Sequence, residues 1–227
     1  MEKTKFEERL GITFRNRDLF LESITHRSYL NENPTWGHNH NERMEFLGDA
    51  VLELCITESL YKKYQKYPEG KLTLLRASLV NYQILAKIAS ELELEGCLLM
   101  SRGEAKDKGK AREVILANAI EAVVGALYLD QGLLACQEFA DKFIIPRVEG
   151  IVQNESYKDS KSRLQEIVQE KMRVTPSYRV LSEDGPAHAR TFEMGVYVGE
   201  ALMGKGSGTS KQEAEVEAAK DAIKRIV

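Results

Sequence analysis

The 227-residue chain contains few cysteines, few prolines and one tryptophan. Its three cysteines, Cys55, Cys97 and Cys136, are odd in number and widely spaced, which argues against a disulfide framework and against a zinc site. No apolar stretch is long enough to span a membrane, and the first residues mix acids and bases, unlike a secretory signal. We therefore expect a cytoplasmic protein without a membrane segment, whose cysteines fill its core.

The chain also lacks the excess of positive charge that nucleic-acid-binding proteins usually carry, since its formal net charge is −3. The hydrophobic fraction of 43% is enough to build a core. The acidity lies upstream, because residues 158–227 are nearly balanced between acids and bases. This asymmetry is typical of an acidic metal-binding domain, in which bound divalent cations would reverse the local charge.

The most informative stretch is an acidic helix candidate that runs from Asn41 to Leu54. Glu42, Glu45 and Asp49 recur there at helical spacing, so that three carboxylates lie along one face beside apolar residues. Clustered carboxylates repel one another, and a divalent cation such as Mg²⁺, which prefers oxygen ligands, would neutralise them. A solvated acidic face on an amphipathic helix is the alternative interpretation.

A second segment, residues 114–129, is an almost uninterrupted apolar run that predicts a buried helix. Only Asn118 and Glu121 interrupt it, and their spacing places both side chains on the same face. A hydrogen-bonded pair within the core would satisfy them, and so would a shared ligand. If the two acidic helices meet, their oxygen atoms would hold one or two Mg²⁺ ions. The predicted metal ligands are Glu45, Asp49, Asn118 and Glu121.

Helical periodicity dominates the first two thirds of the chain, where helices are predicted around residues 3–11, 16–30, 41–65, 72–92, 112–131 and 133–151. A polar stretch then predicts a linker over residues 153–158. Alternating apolar residues beyond it predict three strands between two helices, at residues 177–181, 191–198 and 201–204. The predicted fold is an all-α N-terminal domain over residues 1–152, followed by a small α+β domain over residues 159–227 in the order α-β-β-β-α.

The start of the last helix carries its own signals. Ser210 and Glu213 fit a capping box, which fixes where the helix begins. Three glycines precede it, at Gly204, Gly206 and Gly208. Exposed backbone N–H groups, the positive helix end and Lys211 in the first turn together predict an anion site.

These segments resemble bacterial ribonuclease III over nearly the whole chain. Residues 22–29, the helix from Asn41 to Leu54 and residues 115–132 are similar to the family's THRSY segment, its signature helix and its second acidic helix. Residues 158–227 resemble a double-stranded-RNA-binding domain, through residues 185–188 and the start of the final helix. The resemblance implies a homodimeric endoribonuclease that uses Mg²⁺, or Mn²⁺ as a substitute, to cut double-stranded RNA. Its products would carry 5′-phosphates and short 3′ overhangs, in rRNA and mRNA processing.

The resemblance also implies roles for the acidic residues. Asp49 and Glu121 match catalytic metal ligands, Glu45 matches a further ligand, and Glu42 matches a catalytic acid at the edge of the site. Asn118 departs from the family, which commonly has Asp there, so that an oxygen donor is kept and one negative charge is lost. A double-stranded-RNA-binding regulator, catalytically weakened by Asn118, is therefore the alternative function. A metal-dependent phosphatase would explain the carboxylates but leaves the RNA-binding domain without a role.

In the RNA-binding domain, the resemblance implies that Gln165 and His188 contact 2′-hydroxyls and that Lys211 contacts phosphates. Thr209 and Gln212 stand where the family often has Lys. Fewer phosphate contacts predict weaker and less salt-dependent binding.

Phe46 and Glu69 are matched to the dimer interface. Phe46 follows Glu45 on the signature helix and must point away from the carboxylates, so by resemblance it inserts into the partner subunit. A simple core Phe is the alternative. Glu69, in the turn after Pro68, would approach the partner's site. His26 is expected to be a structural residue and not a catalytic base.

Overall fold

The computed structural model describes residues 4–106, 108–153, 160–186 and 190–226. The chain forms two compact units, Met1–Tyr157 and Lys158–Val227. The first is helical and the second has the order α-β-β-β-α, so the predicted fold class is confirmed. The predicted linker at 153–158 remains a prediction, because all but Gln153 of it lies outside the described residues. In the described ranges, the structure has no helix that is long and apolar enough to cross a membrane.

The helices of the first unit are α1 (Lys5–Leu10), α2 (Arg17–Ser23), α3 (Arg27–Glu32), α4 (Glu42–Lys63), α5 (Glu69–Leu79), α6 (Tyr82–Glu91), α7 (Lys110–Gln131), α8 (Leu133–Phe143) and α9 (Val148–Gln153). Short 3-10 helices cover Leu94–Gly96, Glu104–Lys106 and Ile145–Arg147. The second unit contains α10 (Ser160–Met172), β1 (Ser177–Asp184), β2 (Thr191–Val198), β3 (Ala201–Gly208) and α11 (Lys211–Ile226).

Three of the predicted helices are divided in the structure. The helix predicted at 16–30 is interrupted between α2 and α3, because His26 N donates to Leu99 O at 2.8 Å and takes an extended backbone. The helix predicted at 72–92 is interrupted at Asn81, whose side chain accepts from Ile84 N and caps α6. The helix predicted at 133–151 gives way to a 3-10 turn that contains Pro146.

The core of the first unit is centred on α7, which is buried from Leu116 to Leu127 on most of its faces. Two glycines let α4 and α7 approach at backbone distance. A Cβ at Gly48 would lie 1.7 Å from the backbone oxygen of Glu121, and one at Gly125 would lie 2.2 Å from that of Met44. The two acidic helices therefore meet, and they meet beside the predicted metal ligands.

The second unit is an antiparallel sheet of order β1-β2-β3 that packs on α10 and α11. β3 continues to Gly208, so its predicted end at residue 204 is wrong. The three glycines belong to the paired strand, opposite β2, and not to an exposed loop. A Cβ at Gly206 would lie 2.1 Å from Ala218 N, which shows that these glycines allow close packing of β3 on α11.

The predicted capping box begins α11 in modified form. Ser210 Oγ accepts from Glu213 N at 3.1 Å, as the sequence pattern requires. The Glu213 carboxylate returns to Thr209, where it accepts from the backbone N and the hydroxyl at 2.7 Å each. Both interactions fix the helix start and place Lys211 at its first residue.

Candidate active site

Four oxygen-bearing side chains face one another where α4 crosses α7. Glu45 and Asp49 project from α4, and Asn118 and Glu121 project from α7. The Asn118 amide donates a hydrogen bond to the Glu45 carboxylate, and the charges of Asp49 and Glu45 act on Glu121. The structure thus brings together the four residues that the sequence predicts as metal ligands.

The electrostatics of this cluster disfavour ionised carboxylates. Burial, together with the nearby charges of Asp49 and Glu45, raises the pKa of Glu121 to about 7. Burial and the charges of Glu42 and Asp49 raise the pKa of Glu45, while the hydrogen bond from Asn118 lowers it. Within the described residues, no ion pair neutralises the acids of the cluster. The cluster therefore has negative charge without a compensating protein cation.

The cluster suits a cation that is only partly enclosed by protein. Across the described part of the chain, no group of three or more His, Cys, Asp or Glu side chains is arranged to hold a metal ion by itself. Mg²⁺ characteristically keeps several waters and takes one or two carboxylates together with substrate phosphates. Converging carboxylates beside an amide oxygen fit this kind of coordination, and they do not fit a closed protein cage.

Glu42 and His26 lie at the edge of the cluster. The Glu42 carboxylate is half exposed, pairs with Arg27 at 3.3 Å, and lies 3.7 Å from His40 Nδ1. His26 caps α3, because its side chain accepts from Ser28 N, and burial lowers the pKa of its imidazole. The structure therefore gives His26 a local structural task.

Phe46 and Glu69 lie on the surface of the first unit. The Phe46 side chain is 83% exposed, so the alternative of a core Phe is wrong. It borders a cavity of about 660 Å³ that Leu47 and Leu129 also line. Glu69 begins α5, accepts from Thr73 Oγ1 at 2.9 Å, and lies in a separate groove of about 450 Å³.

Glu7 and Asp130 are two structural acids that are not among the residues predicted from the sequence. Glu7 is fully buried, pairs with Arg17 and forms a capping box with Thr4. The Thr4-x-x-Glu7 spacing is a known signature of such a cap and would have identified it. Asp130 accepts from Arg15 N at 2.9 Å and from Asn16 N at 2.8 Å. No local signal predicts these contacts, since they join residues that are far apart in sequence.

In the second unit, the predicted RNA-binding residues lie on or beside α10 and α11. Gln165 lines a cavity of about 480 Å³ together with Gln212 and Tyr178. Lys211 Nζ lies 2.9 Å from Glu183 Oε1, so this predicted phosphate ligand is already ion-paired. His188 lies outside the described residues.

Comparisons with known proteins agree with this architecture. Residues 16–148 match the Ribonuclease-III-like family model, and residues 160–226 match the double-stranded RNA binding motif. Ribonuclease 3 of Desulforamulus reducens is 44% identical over 225 residues, which cover 99% of this chain and 92% of the relative. Ribonuclease 3 of Enterococcus faecalis is 43% identical, with 98% of this chain and 96% of the relative covered.

Solved structures extend the comparison to the nuclease domain. The nuclease domain of ribonuclease III from Campylobacter jejuni is 38% identical, with a TM-score of 0.56, and the match covers 66% of this chain and 96% of that chain. A second structure of that domain, described as flexible in a region involved in dimer formation, is 39% identical with a TM-score of 0.57 and covers 63% and 95%. The chain therefore belongs to the ribonuclease III family, as an endonuclease domain followed by a double-stranded-RNA-binding motif.

Proposed function

We propose that this protein is a Mg²⁺-dependent endoribonuclease that hydrolyses double-stranded RNA and leaves 5′-phosphates and short 3′ overhangs. The observation that carries the proposal is the convergence of Glu45, Asp49 and Glu121 at the α4–α7 crossing without an internal cation. A duplex-binding motif in the same chain supplies the matching substrate class. Roles in rRNA and mRNA processing, and a cytoplasmic location, belong to the proposal as predictions from the sequence.

The three carboxylates and the Asn118 amide oxygen would hold Mg²⁺, and Mn²⁺ would be a substitute because it accepts the same ligands. When bound, the ion would activate water for attack on the phosphodiester and neutralise the developing charge. Glu121 contributes its full charge there only if a cation overcomes the burial that raises its pKa. Glu42 adds negative charge beside Glu45 at the edge of the site.

Asn118 decides between an active enzyme and the alternative, a catalytically weakened RNA-binding regulator. Its amide N–H is engaged with the Glu45 carboxylate, which orients that ligand. Its amide oxygen remains a suitable Mg²⁺ donor, although a neutral one. The Asn118 amide can therefore both orient Glu45 and donate an oxygen to Mg²⁺, which favours an active enzyme over an RNA-binding regulator.

The proposed homodimer would form through the exposed apolar face of α4. Phe46, Leu54 and Tyr61 recur along this face at helical spacing, with 83%, 53% and 72% of each residue exposed. Apolar side chains of this size are costly to leave in water, and contiguous ones mark interaction surfaces. A twofold dimer would present two sites, one for each RNA strand, with Glu69 near the partner subunit.

The proposed duplex contacts come from Gln165 and His188, which would reach 2′-hydroxyls, and from Lys211, which would reach phosphates. Gln165 and Lys211 lie on the two helices of the second unit, α10 and α11. Thr209 and Gln212 add no positive charge beside Lys211. The proposed binding is therefore weak and depends on a small number of cations.

One cleavage experiment tests the proposal. Long duplex RNA and single-stranded RNA of the same sequence are incubated with the purified full chain, with and without Mg²⁺. We expect cleavage of the duplex only when Mg²⁺ is present, and 5′-phosphates on the products. Intact duplex that is nevertheless bound would support the regulator instead. Sedimentation of wild type and Phe46→Ala measures the dimer, which the substitution should weaken.

A further inference from the structure

The Glu183 carboxylate, in the second unit, forms ion pairs with two cationic side chains. Glu183 Oε1 lies 2.9 Å from Lys211 Nζ, and Glu183 Oε2 lies 3.5 Å from Arg190 Nη1. Lys211 begins α11, and Arg190 immediately precedes β2. Each oxygen of Glu183 thus meets one positive group, as two oxygens of a phosphate would.

The backbone of Glu183 is held in place by strand pairing. It lies in β1 directly opposite Phe192 of β2. The Lys211 and Glu183 side chains are 54% and 35% exposed, so the ion pair is open to solvent and to an incoming polyanion. Exposed pairs contribute little to stability, and stabilising the fold does not account for this carboxylate.

Lys211 has a second contact that does not involve Glu183. Its Nζ lies 5.4 Å from the centre of the Phe192 ring, within the range of a cation–π interaction. The start of α11 is fixed independently by the Ser210 and Glu213 cap. The position of Lys211 is therefore supported by a helix cap and a ring contact that do not involve the Glu183 carboxylate.

We propose that Glu183 sets the affinity for duplex RNA by competing with a backbone phosphate for Lys211 and Arg190. The proposal rests on the proposed role of Lys211 in RNA binding. A phosphate that reaches Lys211 must also approach the Glu183 carboxylate, which repels it. The competition lowers both the affinity of the second unit for duplex RNA and the number of charges that the RNA neutralises.

The test compares Glu183→Gln with wild type in the full chain, with a chelator replacing Mg²⁺ so that RNA is not cut. The probe is a blunt RNA duplex of about 20 base pairs, longer than the roughly 16 that one such domain spans. Its fluorescence anisotropy is measured across a range of salt concentrations. We expect Glu183→Gln to bind about two- to fivefold tighter at low salt, the range set by one exposed charge pair. Its log–log salt dependence should steepen by about one unit.

Glu193→Gln is the matched control, because it removes the same charge from the neighbouring strand. Glu193 pairs with Lys205 at 3.7 Å, on an element outside the proposed RNA contacts. We expect little change in its affinity or salt dependence. An equal gain in both variants would mean that only net charge matters, and would overturn the proposal.

Lys211→Ala separates this inference from the proposed function. Alone, it should weaken binding, and in its background the gain from Glu183→Gln should shrink. If Lys211→Ala weakens binding but Glu183→Gln does not tighten it, Glu183 is not a competitor, while the RNA contact stands. If Lys211→Ala changes nothing, the proposed contact itself is wrong and the competition with it. Thermal unfolding of each variant confirms that the fold is kept.

Discussion

Two acids in the nuclease unit, the fully buried Glu7 and the partly buried Glu121, have opposite electrostatic surroundings. Burial alone would raise the pKa of Glu7, but hydrogen bonds from Arg17, Thr4 and the backbone N–H of Phe14 together lower it. Burial raises the pKa of Glu121 to about 7, and its neighbours add like charges instead of donors. The fold therefore completes the surroundings of one carboxylate and leaves those of the other incomplete.

The difference separates a structural acid from a functional one. A buried charge is tolerated when the protein supplies donors and a counter-ion, as it does for Glu7. A partly buried cluster without them, such as Glu45 and Glu121 with Asp49, is unfavourable in the absence of a ligand and persists where a ligand supplies the missing charge. Location near an apolar core does not distinguish these cases, whereas the partners of each carboxylate do.

The largest expected effect comes from removing the negative charge of Glu121, the carboxylate that lacks donors and a counter-ion. Glu121→Gln should reduce duplex cleavage by about a thousandfold, because coordination of a catalytic cation is worth several kcal/mol of transition-state stabilisation. Single-turnover cleavage at saturating enzyme measures the loss. Duplex binding by the second unit should persist, which anisotropy measures separately.

Glu113→Gln is the control for that substitution, since Glu113 is exposed in the first turn of the same helix. It should cleave at nearly the wild-type rate. Substantial cleavage by Glu121→Gln would remove Glu121 from the proposed site and would leave its raised pKa as a packing effect.

Substitution of Glu7, whose hydrogen-bond donors and counter-ion are supplied by the protein, should lower stability and leave duplex cleavage unchanged. Glu7→Gln leaves Arg17 without its counter-ion, and we expect the free energy of unfolding to fall by about 2–3 kcal/mol, less than for a fully buried pair because Arg17 is partly exposed. Urea denaturation at neutral pH measures this change. Duplex cleavage should be retained at temperatures where the variant is folded.

The pH dependence of this loss follows from the direction of the Glu7 pKa shift. A carboxylate whose pKa is lowered by folding contributes stability above its unfolded pKa and loses it as the pH falls through the folded one. The difference between wild type and Glu7→Gln should therefore narrow in acid. Glu8→Gln, at the exposed neighbouring position, should have nearly the same free energy of unfolding as wild type at every pH. A constant gap at all pH values would mean that the Arg17 pair does not lower this pKa.

Much of the site could be predicted from the sequence because it depends on helical periodicity. The spacing of Glu45 and Asp49, and that of Asn118 and Glu121, fixes which face of each helix carries oxygen ligands. The meeting of those faces depends on Gly48 and Gly125, whose contacts join distant parts of the chain. Periodicity within one helix cannot report such a contact.

The errors have the same physical origin. The break between α2 and α3 is imposed by a hydrogen bond to Leu99, which no local signal announces. Gly206 permits a strand to pack closely on a helix, but its sequence context also suits an exposed loop. Phe46 is not among these errors: helical periodicity leaves a core and an interface residue open, and the 83% exposure excludes only the core alternative.

The smallest expected effect comes from adding a negative charge to the acidic cluster at the α4–α7 crossing. This substitution also tests most directly whether the cluster lacks a cation. Asn118→Asp removes the amide donor to Glu45 and places another carboxylate beside that residue. Without metal, the variant should be less stable than wild type, because a hydrogen bond is lost and like charges are added. With Mg²⁺, its melting temperature should rise more than that of wild type.

Cleavage should require about tenfold less Mg²⁺ in Asn118→Asp, since one added charge contributes roughly 1–3 kcal/mol of attraction at an effective dielectric constant near 20. The maximal rate should change less, because the other ligands already converge. Titrating Mg²⁺ against both cleavage rate and melting temperature separates affinity from chemistry. If the Mg²⁺ requirement is unchanged or higher, Asn118 acts only by orienting Glu45. The metal ligands would then be Glu45, Asp49 and Glu121 alone. The Asn118 amide would be a structural hydrogen-bond donor, like the donors around Glu7.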